Sequence, residues 1–180
     1  MSLQAVDTLG ATNRIASDAS LLVVSAAGAA DAMRAVADSF AAFEGVQVVF
    51  EIGEARSPII QSATGEVTAD VLVTAHPRNA PPMPASPDTA AAQSATADDP
   101  EWEVRFATDT AAAYSISLPP ASASRALGER FVRFLLSPTG RALVTKARLV
   151  VPAAVIATGR EVPPNIAALV DSTRARPPTP

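Results

Sequence analysis

Between Leu21 and Ala75 the chain alternates short apolar runs with stretches of helical periodicity, and this alternation restricts the folds open to it. LLVV, from Leu21, is a continuous apolar run of the length expected of a strand covered on both faces. The small-residue loop SAAGAA follows it. Then Met33, Val36, Phe40 and Phe43 recur at helical spacing and form one apolar face. Gly45 stands where a helix would end in a left-handed residue. VQVVFEI reads as a second strand. Ser57-Pro58 has the cap-and-proline form of a helix start, with Gly65 closing that helix, and ADVLVT reads as a third strand. Strand, helix, strand, helix, strand at this spacing implies an α/β sheet with parallel neighbours and right-handed crossovers.

The rest of the chain supplies less pattern. Residues 1–20 are polar and aperiodic and read as a loose arm. Residues 77–100 are dense in Pro, Ala, Ser and Asp and read as a surface linker, because such a segment has too little apolar surface to offset the entropy of ordering it. WEVRFA, from Trp102, and YSISL, from Tyr114, alternate as strands do, with Asp109 and Thr110 in a turn between them. Trp102 is expected to cover a sheet edge. Leu127, Phe131, Phe134 and Leu135 define a helix over about 124–136, with Arg125, Glu129, Arg130 and Arg133 on its solvated face. Ser137-Pro138 starts another, packed through Leu143 and Val144, and 149–151 is a short extended segment. From 152 to 180 the chain is a Pro-rich extension holding one short helix capped by Asn165. The expected core is Leu22, Val24, Met33, Val36, Phe40, Val48, Phe50, Ile60, Val71, Val73, Ile116, Phe131 and Phe134.

Several motifs resemble a known family. VVSAAGAADAM, SFAAFEGVQVVF and IIQSATGEVTADVLVTA are similar, in order and spacing, to the first half of lobe one in the molybdate-binding proteins of ABC transporters, among the type II periplasmic binding proteins. AAYSISLPPASASRALGERFVRFLLSPTGRALVTKARL resembles that family's return strand and the two helices after it. The resemblance implies a three-layer αβα sandwich, a single lobe of that fold over 21–151, with the linker at 77–100 in place of lobe two. It also implies a periplasmic or extracytoplasmic location and an ABC permease as partner. The start of the chain shows neither the basic segment nor the apolar segment of a secretory leader.

The same resemblance points to two loops, Ser25, Ala27, Gly28 and Ala29 in one and Ala55, Arg56 and Ser57 in the other, as the site for a small oxyanion such as molybdate, tungstate or sulfate. Free N–H groups at helix starts suit an anion. The family's two ligand serines, however, fall on Gly28 and Ala55, so both hydroxyls are lost. Ser57 is better explained as a cap, and Glu54 and Arg56 as a solvated pair.

Other chemistry is sparse. The chain has no cysteine and one histidine, His76, read as an exposed loop residue. It has no nucleophile elbow or phosphate-loop pattern, so an enzyme and a bound cofactor are not expected. A net charge of −4 argues against nucleic acid and anionic membranes, and no apolar run is long enough to span a bilayer. Two functions remain: a solute-binding-protein-like domain with weakened or altered ligand binding, or a single-lobe interaction or self-association module. Loss of lobe two would leave Ala26, Ala27, Ala29 and Ala30 uncovered, so a homodimer through that face or through the WEVRFA strand is expected.

Overall fold

The computed structural model describes residues 20–53, 59–62, 65–78, 101–159 and 162–174. Its centre is a six-stranded mixed sheet in the order β2-β1-β5-β7-β6-β8. The strands are β1 (Ser20–Ser25), β2 (Gln47–Ile52), β5 (Val71–Pro77), β6 (Trp102–Thr108), β7 (Ala112–Ser117) and β8 (Ile156–Gly159). The helices are α1 (Ala30–Glu44), α2 (Arg125–Leu136), α3 (Pro138–Lys146) and α4 (Pro164–Arg174), and a 3-10 turn, η1 (Ala27–Ala29), leads into α1.

The early strands pair as the alternation predicts: β1 runs parallel to both β2 and β5. From there the sheet departs from the parallel-rich one expected. β7 returns antiparallel to β5, and β6 and β8 continue antiparallel. β6 and β7 are joined by the short turn at Asp109 and so form a hairpin, which can only be antiparallel.

The second helix expected after Ser57-Pro58 is not formed. Its place is taken by an antiparallel hairpin of β3 (Ile59–Ser62) and β4 (Gly65–Thr68), with Ile59 opposite Thr68 and Ser62 opposite Gly65. Ile59, Ile60, Val67 and Thr68 are β-branched, which lowers helix propensity and favours strands. The cap-like pair itself, at 57 and 58, lies outside the described residues.

The four helices form one layer on one face of the sheet. α1 packs on α3 and α2, and α2 packs on α3 and α4. Among the described residues no helix lies on the opposite face, so the second helical layer of an αβα sandwich is not seen. The helix-facing core joins Leu21, Val23, Val71, Val73, Val104 and Ile116 of the sheet to Met33, Val36, Phe40, Phe131, Val132, Leu135 and Ile166 of the helices. Phe40 meets Phe131 edge to face at 5.2 Å between ring centroids. A smaller cluster of Val24, Ala69 and Leu72, with Leu22 against it, lies on the other face.

Eight of the expected core residues are buried: Val24, Met33, Val36, Phe40, Val71, Val73, Ile116 and Phe131. Leu22, Val48, Phe50 and Phe134 are only partly so. Val48 and Phe50 lie on β2, the outer strand, where fewer neighbours cover them. The side chain of Ile60 lies outside the described residues.

Two helix boundaries follow their local signals, whereas Asn165, expected as a cap, lies inside α4 and its amide nitrogen donates to Glu129 Oε2 at 3.3 Å. Gly45 ends α1 at φ 70°, and its N–H donates to Ala41 O at 2.9 Å. Ser137 caps α3, its hydroxyl oxygen accepting from Gly140 N, with Pro138 at the first helical position. The start of α2 is held instead by a buried carboxylate. Asp70 accepts hydrogen bonds from Leu22 N, Ser122 Oγ and Ser124 N at 3.0, 2.8 and 3.0 Å, tying β1, β5 and the approach to α2 at one end of the sheet.

Trp102 is not an edge cover. It is buried in the helix-facing core, because β8 pairs with β6 and takes the edge itself. The segment expected as a Pro-rich extension therefore contains β8 and α4, both packed into the domain. The outer strands are β2 and β8, so the WEVRFA strand offers no open edge for a dimer. Residues 1–19 and 79–100 lie outside the described residues.

Candidate functional site

The carboxyl ends of β1, β2 and β5 meet the start of α1, the position where open α/β sheets hold ligands. Each residue of the first expected loop can be placed there. Ser25 is fully buried at the end of β1, and its hydroxyl donates to Ala26 O at 3.1 Å. Ala26 N donates to Val73 O, fastening the loop to β5, and Gly53 N donates to Ser25 O, fastening the end of β2. Ala29 is buried, whereas Ala27 and Gly28 are exposed. Ala55, Arg56 and Ser57, with Glu54, lie outside the described residues.

Gly28 is blocked from the side by a residue the sequence does not single out. A Cβ built on Gly28 would collide with Tyr114 Oη and would stand 3.0 Å from Tyr114 Cζ. Tyr114 is placed by β7, on the same face as Ile116, and is only 2% exposed. Its hydroxyl proton is committed: Tyr114 donates to Asp109 Oδ2 at 2.6 Å. The other oxygen of Asp109 accepts from Ala111 N and Ala112 N, both at 2.7 Å, closing the turn between β6 and β7. Arg78 completes the corner by donating to the backbone oxygen of Asp109 at 2.9 Å.

These bonds set the charge of the corner. The Tyr114 hydroxyl, followed by the Ala112 and Ala111 N–H groups, holds the Asp109 carboxyl below its usual range. Burial, and then the Asp109 carboxylate, push the tyrosine up to about 12. At neutral pH the corner therefore carries a carboxylate, the Arg78 guanidinium and a neutral phenol. An anion approaching Gly28 would meet the lone pairs of a hydroxyl whose proton points away from it, with a carboxylate behind. The N–H groups at the start of α1 and the Arg78 guanidinium beside Asp109 are features here that favour an oxyanion.

A scan of the chain against protein-family models gives no match, and a search of curated proteins gives none.

His76 belongs to β5 rather than to a loop, and it is on the sheet face opposite Tyr114, since Ala75 rather than His76 pairs with Tyr114. His76 Nε2 is 3.1 Å from Thr74 Oγ1 and 3.4 Å from Glu103 Oε2. Thr158 donates to the other oxygen of Glu103 at 3.3 Å. Hydroxyl and carboxylate share one ring nitrogen, so the group is not arranged as a nucleophile–base–orienter relay, which needs them on opposite nitrogens. Among the described residues no three His, Cys, Asp or Glu side chains are grouped to hold a metal. No helix among them is long and apolar enough to cross a membrane.

Asp109 and Tyr114 carry the geometry of this corner, and one signal for them exists in the sequence. An aspartate followed within three residues by small residues commonly folds its carboxylate onto their N–H groups. Nothing local reports that Tyr114 reaches Gly28, 86 positions away in sequence.

Proposed function

We propose that this chain is an interaction module: a single α/β lobe, related in design to the type II periplasmic binding proteins, that works through a protein partner rather than by capturing a small oxyanion. The observation that carries this reading is the Tyr114 hydroxyl, bound to Asp109 and standing where a side chain at position 28 would need to be. The parallel β2-β1-β5 unit, with α1 after β1, supports the design relationship. The spent Ser25 hydroxyl and the carboxylate of Asp109 support the loss of anion binding.

A second reading keeps the oxyanion. It is favoured by the exposed backbone of Ala27 and Gly28 at the start of a 15-residue helix. Calorimetry of the full chain with molybdate, tungstate and sulfate separates the two. No binding heat is expected at micromolar protein. A sub-micromolar dissociation constant for any of the three would overturn the interaction-module reading.

A further inference from the structure

A groove lies on the helical layer, away from the Gly28 corner. It is open, of about 710 Å³, where the ends of α1 and α2 meet α3 and α4. Its floor is apolar. Phe43 is 74% exposed and stacks, tilted, on the partly buried Phe134 at 5.8 Å between centroids, and Leu169 of α4 lies beside them. Its rim is basic, with Arg130, Arg133 and Arg141 against the single carboxylate of Glu44. Arg130 pairs with Glu44 at 2.8 Å, and Arg141 donates to Pro152 O. Arg133 is exposed and makes no ion pair or side-chain hydrogen bond among the described residues. This positive rim sits on a chain whose net charge is −4.

We infer that this groove docks an acidic, amphipathic segment of a partner protein, an apolar side chain resting on Phe43 and Phe134 and carboxylates meeting Arg133 and Arg130. The inference rests on the interaction-module reading and names the chemistry of its partner. Charge complementarity favours an acidic occupant over a second copy of this chain. A second copy docked two-fold through this face would set arginines against arginines, since such a contact uses the same patch on both subunits. The chain's own end, which includes Arg174 and Arg176, would meet like charge. An apolar floor within a charged rim is the form taken by grooves that accept one face of an amphipathic helix, the anchors recurring at i, i+3, i+4 and i+7.

The test uses the full chain and two fluorescein-labelled helix-forming peptides, read by anisotropy. Both carry leucines at i, i+3, i+4 and i+7; one has glutamates between them and the other lysines. The glutamate peptide is expected to bind, to weaken as salt rises, and to lose about tenfold or more in affinity with Arg133→Glu and with Phe43→Ser. Both variants change exposed side chains and leave the buried core intact, which circular dichroism checks. The lysine peptide is expected not to bind. Equal binding of the two peptides, no binding of the glutamate peptide, or indifference to Arg133→Glu would each overturn the inference. So would a dimer by light scattering that Arg133→Glu dissociates, or preferential capture by vesicles of anionic lipid. Oxyanion binding in the calorimeter would overturn the interaction-module reading and leave the peptide result to stand or fall alone.

Discussion

Replacing Gly28 by serine or alanine isolates its contact with Tyr114. Its φ is not positive, so the backbone there accepts a side chain without strain. Removing a glycine from such a position would ordinarily stabilise by about 0.4–1 kcal/mol, through the unfolded chain. Here the new Cβ meets Tyr114 Oη, which is buried and fixed by Asp109, so the ring must move and weaken that bond. Overpacking of this kind costs about 1–3 kcal/mol. For a domain of this size that is a fall in Tm of roughly 2–12 °C. Serine and alanine should cost alike, because the collision is with Cβ rather than with the hydroxyl. Tyr114→Phe removes Oη and leaves Cζ at 3.0 Å and Cε1 at 3.3 Å, distances a shift of a few tenths of an ångström relieves. In that background Gly28→Ser should be close to neutral, giving a coupling of about 1–2 kcal/mol between the two positions. The assay is a double-mutant cycle by urea denaturation, with thermal melts alongside. A neutral Gly28→Ala in the native background, or the same loss with and without Oη, would refute the placement of Tyr114.

The Asp109–Tyr114 pair should make stability depend on pH at both ends. Asp109 has a folded pKa below its ordinary 3.8, so its contribution is present above 3.8 and is lost as pH falls through the folded value. Tyr114 is raised from 10.0 to about 12, so its contribution is complete below 10.0 and is lost as pH rises through about 12. A Tyr114→Phe variant should flatten the alkaline limb of a Tm-against-pH curve, and an unchanged limb would argue against the bond. At the other end of the sheet, Asp70→Ala should destabilise by about 2–4 kcal/mol, leaving the N–H groups of Leu22 and Ser124 without their acceptor. Asp70→Asn, which keeps one acceptor oxygen, should cost less; equal midpoints for the two variants in urea would contradict the arrangement.

Much of the scaffold was legible because its causes are local. The spacing of Met33, Val36 and Phe40 marks a helix whichever partner it meets, and those three side chains are buried in α1. Gly45, Ser137 and Pro138 act on the backbone groups of their own helix ends, so their roles are visible within a few residues. The apolar runs of β1, β2 and β5 likewise announce strands that neighbours must cover. The hairpin at 59–68 was misread where two local signals conflict: a cap-like serine-proline pair stands before a β-branched run, and the run prevails.

The features that bear on function depend on pairings between distant segments. The direction of β7 and the placement of β8 outside β6 were settled by which strands meet, and side-chain periodicity is the same for either direction of a strand. Gly28 reads in the sequence as an open loop glycine and is in the fold a residue pressed by Tyr114. Arg130 and Arg133 read as part of a solvated helix face and become the rim of a groove only when α1, α3 and α4 are set around them. Sequence by itself determined where α1 to α4 form and most of the residues that seek burial, because propensity, capping and hydrophobic period act over a few residues. Tertiary structure alone decided what closes the loop after β1 and what the helical face presents, because those depend on atoms brought together from positions 28, 109 and 114, and from 43, 133 and 169.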